Sequence, residues 1–203
     1  IYGATFNFEL LDSNIKFVDD GMKFTQELQD FNITLHDVSL SKEMHLKVWA
    51  DIKTKLVGVL DVSGPMVIEA FIKPKMKGLE FDNADVKLTV NFDGIDVNVP
   101  ETFRKKPGVP TNIVLNTVVS PKNVEVSKFQ INFHNMSLDA AANLRGLDQP
   151  APSLHFKLDS NKIDLSSWKS LVEPLGALGM KGHMRLAAGA DGMLTDIKYN
   201  AEL

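Results

Sequence analysis

Five histidines, at positions 36, 45, 134, 155 and 183, are the first place to look for chemistry in this sequence. A zinc centre built on them would need an H-E-x-x-H pair on a helix, or an H-x-H pair on a strand, with carboxylates nearby. Neither pattern occurs. A serine nucleophile would need a G-x-S-x-G elbow, and none is present. Gly176, Gly179 and Gly182 recur every third residue, which matches neither a dinucleotide loop nor a phosphate loop. Asp159-Ser160-Asn161 opens like a calcium loop, but its sixth position is Asp164 in place of Gly and its twelfth is Ser170 in place of Glu. The chain has no cysteine, which removes disulfides, thiolate metal sites and thiol nucleophiles together. The expectation is a protein that is not an enzyme, with no catalytic residues, no metal and no cofactor.

Charge narrows the partners. Lys and Arg number 22 against 26 Asp and Glu, so the 203-residue chain carries a net −4. A nucleic-acid-binding domain would show a basic excess, so no nucleic-acid partner is expected. Arg104-Lys105-Lys106 is the one basic cluster. It reads either as a solvated loop before Pro107-Gly108 or as a contact for anionic lipid head groups. Asn32-Ile33-Thr34 and Asn135-Met136-Ser137 are formal glycan acceptors that fall inside expected strands, where a glycan is awkward. No run of 18 apolar residues could cross a membrane as a helix. The chain opens mid-pattern, without an initiator Met or a leader, and reads as a piece of a longer protein.

The elements that would position any site are strands. In 44–52, Met44, Leu46, Val48, Ala50 and Ile52 alternate with His45, Lys47, Trp49 and Asp51. In 86–92, Val86, Leu88, Val90 and Phe92 alternate with Lys87, Thr89 and Asn91. Period two over this length marks half-buried strands. Further strands are expected at 5–10, 14–18, 31–40, 56–62, 66–72, 95–99, 112–119, 129–138, 140–145, 153–159, 182–188 and 193–202. Turn chemistry at Asp19-Asp20-Gly21, Ser63-Gly64-Pro65, Lys77-Gly78, Asp93-Gly94, Lys106-Pro107-Gly108, Ser120-Pro121, Gln149-Pro150 and Asp191-Gly192 is expected to separate them. One helix is expected, capped by Asp164, with Trp168, Leu171, Val172 and Leu175 at helical spacing and an end or kink at Pro174. A weaker helical turn is expected at 22–28.

Residues 28–40 and 126–138 resemble each other. Phe31, Ile33 and Leu35 align with Phe129, Ile131 and Phe133, and His36 and Ser39 align with His134 and Ser137. In both, the apolar phase slips after the histidine, which predicts a bulge at His36-Asp37 and another at His134-Asn135. So many strands with so few helices leave two ways to cover an apolar face. Two sheets pack together, or one sheet curls and leaves a groove.

Several phrases resemble AsmA-like proteins. Residues 8–19, from Phe8 through Ile15 and Phe17 to Asp19, are similar to that family's apolar strand, short turn and I-x-F-x-D strand. Leu28 to Leu40 resembles the next strand, and Leu60-Asp61-Val62-Ser63-Gly64 a glycine-ended hairpin strand. Leu154 to Trp168 is similar to the strand feeding a D-L-x-x-L helix start, with Trp168 where Leu is commoner. Gly182 to Gly189 resembles the strand that reopens the sheet. The resemblance implies the AsmA/TamB repeating β-groove superfamily, periplasmic and anchored in the inner membrane of a diderm bacterium by a helix upstream of this segment. It implies a groove that carries phospholipid acyl chains between inner and outer membranes, without enzyme chemistry.

The expected fold is therefore mainly β: a curved, largely antiparallel, extended groove-forming sheet with a short C-terminal helix near 165–175. One continuous sheet is expected, with a first groove unit over 1–80 and a second over 81–203. The expected lipid-lining residues are Phe31, Ile33, Leu35, Met44, Leu46, Val48, Val86, Leu88, Val90, Phe92, Phe129, Ile131 and Phe133. The expected partner is a phospholipid or other acyl lipid. Two rival readings are a structural β-sandwich of a cell-surface or adhesin-like protein, with its faces packed shut, and a soluble carrier of hydrophobic ligands.

Overall fold

A computed structural model describes residues 5–202. The strands are β1 (Phe6–Asp19), β2 (Phe24–Val38), β3 (Met44–Leu56), β4 (Leu60–Lys77), β5 (Glu80–Asn91), β6 (Asp96–Val99), β7 (Phe103–Lys105), β8 (Thr111–Val119), β9 (Asn123–Phe133), β10 (Met136–Arg145), β11 (Ser153–Ser160), β12 (Ile163–Asp164), β13 (His183–Met184), β14 (Ala187–Met193) and β15 (Asp196–Glu202). A 3-10 helix (Leu165–Ser170) and α1 (Glu173–Ala177) lie between β12 and β13. The main sheet runs β1-β2-β3-β4-β5-β8-β9-β10-β11-β14-β15, antiparallel at every step. It is curved and does not close into a barrel. β12 and β13 form a separate two-stranded ribbon. Among the described residues no second large sheet faces the first, so they do not form a sandwich. β4 and β5 stay paired from Lys77–Glu80 to Val67–Asn91, with one register shift at Lys75–Met76, where the two expected groove units would meet.

β1 is one strand, where 5–10 and 14–18 had been expected as two with a turn between them. Asp12 takes a left-handed conformation (φ 50°), and the register slips there. Asp30 (φ 48°) and Asp37 (φ 55°) make two more such irregularities in β2. An asparagine holds each one. The amides of Asp12, Asp30 and Asp37 donate to the side chains of Asn32, Asn14 and Asn7, at 2.9, 3.3 and 3.0 Å. Asp tolerates positive φ, and the cross-strand amide satisfies the N–H that the slip frees. Asn32 is 3% exposed, so this glycan acceptor is buried. The helical turn expected at 22–28 is instead the start of β2, because Leu28 pairs with Ile52 of β3 and tertiary pairing overrides local propensity.

The bulge expected at His36-Asp37 forms, but the one at His134-Asn135 does not. His134 (φ 54°) and Asn135 make a two-residue turn between β9 and β10, so Met136 pairs with Phe133. The two similar segments therefore adopt different structures. The same phase slip serves as a bulge in one and as a reversal in the other. The expected helix also divides. Asp164 caps its first part as foreseen, accepting from the Ser166 amide at 2.9 Å. Pro174 does not end a helix but opens the short α1, where its missing N–H has no cost.

Ser63-Gly64-Pro65 and Asp191-Gly192 are not turns either; they lie inside β4 and β14. Gly64 (φ 124°) has a specific reason: a Cβ there would sit 2.5 Å from the carbonyl of Gly94. Gly94 belongs to a break, not to a hairpin. β5 and β6 run in the same direction, and both pair with β4, on Val67–Lys77 and Asp61–Ser63 respectively. β7 and β8 are interrupted opposite them at Lys106–Pro110.

Lys105 fills the break. It is 2% exposed, and its ammonium donates to the carbonyls of Phe92 (2.9 Å), Asp93 (3.2 Å) and Ile95 (2.6 Å). Burial pushes its pKa down, while Asp93 and Asp96 push it back up. The basic cluster is thus split: Lys105 is a structural plug, and Arg104 and Lys106 are exposed. Lys105→Met keeps the stem; the Phe92 and Asp93 carbonyls keep the amides of Ile95 and Gly108, and the Ile95 carbonyl loses its ammonium donor, so the variant is expected to lower stability by about 2 kcal/mol. Arg104→Met and Lys106→Met should stay within about 0.5 kcal/mol. Urea denaturation of the three variants measures the difference.

Candidate functional site

Antiparallel pairing puts directly opposite residues on one face, so the registers map each face across the sheet. One row crosses all eleven strands of the main sheet: Phe8, Leu35, Leu46, Ala70, Leu88, Leu115, Phe129, Ala140, Leu158, Ala188 and Ala201. Every member is apolar. A second row on the same face runs Leu10, Ile33, Val48, Ile68, Val90, Ile113, Ile131 and Leu138. A third runs Met44, Ile72, Val86, Thr117, Val126, Ala142, Phe156, Ala190 and Tyr199.

The adjacent row on the other face reads Glu9, Thr34, Lys47, Glu69, Thr89, Val114, Gln130, Asp139, Asp159, Ala187 and Glu202. Ion pairs lie on this second face, Lys16–Glu27 (2.6 Å), Lys47–Glu69 (3.3 Å) and Lys75–Asp85 (3.1 Å), and there His155 Nδ1 is hydrogen-bonded to Asp191 Oδ1 (2.9 Å). Lys16 holds the Glu27 carboxyl below its ordinary range by a hydrogen bond as well as by charge. An asparagine ladder continues the polar pattern, with the Asn132 amide donating to the Asn112 carbonyl oxygen at 2.8 Å.

The two faces also differ in exposure. Val86, Leu88 and Val90 are half-buried while Lys87, Thr89 and Asn91 are exposed. Leu154, Phe156 and Leu158 are half-buried while Ser153, His155 and Lys157 are exposed. Among the described residues no second sheet covers the apolar face, so away from the 3-10 helix its shielding comes from the curl of the sheet toward it. Side chains converge on the inside of a curved layer and splay on the outside. The apolar face is therefore the concave one.

Of the thirteen residues expected to line a lipid track, the twelve within strands fall on this face. Ile33 and Val48 are direct partners, as are Leu35 and Leu46. Val86, Leu88 and Val90 join them through β4, and Phe129 and Ile131 through β8. Phe31 sits opposite Ser13. Phe92 lies just past β5, its amide bonded to the Thr111 carbonyl at 2.8 Å. Phe133 is not open. Its ring packs against Phe103 (6.0 Å) and Trp168 (5.4 Å), and the Trp168 indole donates to Asn135 at 2.7 Å. The 3-10 helix thus covers the end of the face beside the β9–β10 turn. Buried Leu171 and Ile163 lie in this same segment.

Sequence reasoning missed Phe8, Ala70, Leu115, Ala140, Leu158, Ala188 and Ala201, which complete the central row. Four of the seven are alanines, too small to signal a face alone. Only pairing register reveals them. It also missed that Lys105 stands on the apolar side, opposite Val97, where its carbonyl ligands neutralise the intrusion.

Chemically, the face is an open apolar strip. Among the described residues, no group of three or more His, Asp and Glu could hold a metal ion. An open face and a sealed core respond differently to a charge. Leu88→Asp is expected to hydrate on the open face and to retain a cooperative melt, at a cost of about 2 kcal/mol or less. Leu171→Asp, at a position 4% exposed, is expected to cost about 4 kcal/mol or more. Circular dichroism melting of both variants makes the comparison.

Compared with known proteins, the chain matches no protein-family profile, no curated protein and no solved structure.

Proposed function

We propose that the concave face binds acyl chains of phospholipid or a similar lipid and lets them move along the sheet. The single observation that carries this reading is the unbroken apolar row from Phe8 to Ala201. Ten inter-strand steps of about 4.8 Å make it roughly 48 Å long. One acyl chain spans about 15 Å, half the hydrocarbon thickness of a bilayer. A strip about three chains long is oversized for a carrier that encloses one ligand, and suits a track. Each methylene removed from water on it contributes about 0.8 kcal/mol, whatever the head group. Binding is then strong in sum and poor in selectivity, with head groups left in water on the open side. The resemblance to AsmA-like proteins supports the same reading. It also suggests transfer between the two membranes of a diderm envelope, with the chain held in the periplasm by a helix upstream.

The test is a photo-crosslinking residue placed in cells at Leu88, with Thr89 on the opposite face as control. The expected result is a lipid adduct at position 88 and none at 89. Equal labelling at both positions, or no lipid at 88 in folded protein, contradicts the reading.

A further inference from the structure

Between β11 and β14 the chain leaves the main sheet as an insertion, residues 161–186, at the end of the sheet where β9 turns into β10. Its base is fixed. Ile163 and Leu171 are buried, the Arg104 amide donates to the Leu171 carbonyl at 2.7 Å, and the Glu173 amide donates to the Thr102 carbonyl at 3.1 Å. Its tip is open. Gly176 to His183 are all exposed, with Leu178 at 73% and Met180 at 36%. Pro174 to Met180 carries no charge, and no acidic residue occurs from Pro174 to Ala190.

The backbone of this tip bonds to itself. The amides of Leu175 and Gly176 donate to the Val172 carbonyl, and those of Leu178, Gly179 and Met180 donate to the carbonyls of Pro174, Gly176 and Leu175. Pro174 has no N–H. A segment that enters the apolar edge of a bilayer needs such internal bonding, because no water is there to satisfy free N–H groups. The surroundings of the tip are basic. Residues 161–185 hold Lys162, Lys169, Lys181 and Arg185 against Asp164 and Glu173, in a chain whose net charge is −4. Asp164 accepts from Ser166, and Asp159 holds Arg185 at 2.6 Å. Among the described residues, Lys169 and Lys181 form no ion pair. Lys169 stands at the foot of the tip, where a Cβ on Gly176 would lie 4.0 Å from its own. The exposed leucines of other turns lack this setting: Leu40, Leu79, Leu147 and Leu194 each have an Asp or Glu within three residues.

We propose that the tip, residues 174–182, docks on the surface of a bilayer that contains anionic phospholipid. Leu178 and Met180 enter the boundary between head groups and acyl chains, and Lys169 and Lys181 face the phosphates. An anionic layer over an apolar one matches both halves of the tip, whereas a free anion would leave Leu178 and Met180 in water. The inference does not depend on the acyl-chain reading, since it concerns the insertion and not the concave face.

The chain has no cysteine, so one introduced thiol carries an environment-sensitive dye to a single position. The probe is a vesicle of equal parts phosphatidylcholine and phosphatidylglycerol. Dye on Leu178→Cys should brighten and shift to the blue on these vesicles. Dye on Leu79→Cys, 84% exposed at the opposite end of the sheet, should not. In vesicle flotation, Leu178→Glu/Met180→Glu and Lys169→Gln/Lys181→Gln should each weaken binding about tenfold or more, with unchanged melting. Vesicles of phosphatidylcholine alone should bind about tenfold more weakly than the mixed ones. Leu88→Asp, on the concave face, should bind as the unmodified chain does. Equal dye responses at 178 and 79, no binding to the mixed vesicles, or binding that survives either double substitution overturns the proposal. Loss of binding in Leu88→Asp with the tip variants unaffected also overturns it, and leaves the acyl-chain reading standing.

Discussion

The rest of the structure depends on one constraint: a single antiparallel layer must hold together without a second layer to pack on. Among the described residues, Ile163 is the one large side chain that is fully buried, and it lies outside the main sheet. The other buried apolar residues are three alanines on the concave face, Ile95 beside the strand break, and Leu171. Cohesion therefore comes from the backbone ladder and from the half-burial that curvature supplies. Each ladder hydrogen bond contributes only about 1 kcal/mol net, but long strands such as β4, with 18 residues, make many of them. Interruptions of that ladder must be satisfied locally. The asparagines that clamp Asp12, Asp30 and Asp37, and the lysine that fills the β5–β6 break, do this.

A single layer also explains why the two faces are so unlike. Register is weakly specified in a sheet with two similar faces, since a one-residue slip then costs little. Here a slip would turn Leu46, Leu88 and Phe129 outward and bring Lys47, Thr89 and Gln130 in. The exposed ion pairs on the convex face are worth little as bonds. Their value is that Lys47–Glu69 and Lys75–Asp85 favour the one register that also aligns the apolar rows. The same partition that secures the fold leaves a continuous apolar strip, so stability and the proposed lipid track arise from one pattern.

Much of this was legible in the residues, and the failures have physical causes. Alternation in 44–52 and 86–92 marked strands and their apolar sides correctly, because period two is a local signal. The divided helix and the Asp164 cap were partly readable, since capping chemistry is local too. Bulge and turn were not distinguishable at His134, because both need the same left-handed residue and phase slip. Asp93-Gly94 read as a hairpin because its true role depends on Lys105, which lies 12 residues from Asp93 in sequence and in hydrogen-bond contact with its carbonyl in space. Gly64 and Pro65 read as a turn, although the glycine is there to let another backbone approach. The alanines of the central row carried no signal of their own. What long-range pairing decides, single strands could not announce.

The central claim is that the concave face is open to lipid and not a closed core. Native mass spectrometry of the chain, released gently from cells that contain its membranes, tests this most directly. The account predicts folded protein carrying one or more adducts with the masses of acyl lipids, and loss of those adducts in Leu88→Asp. Folded protein that flies only at its bare mass, across gentle detergents and detergent-free release alike, would contradict it.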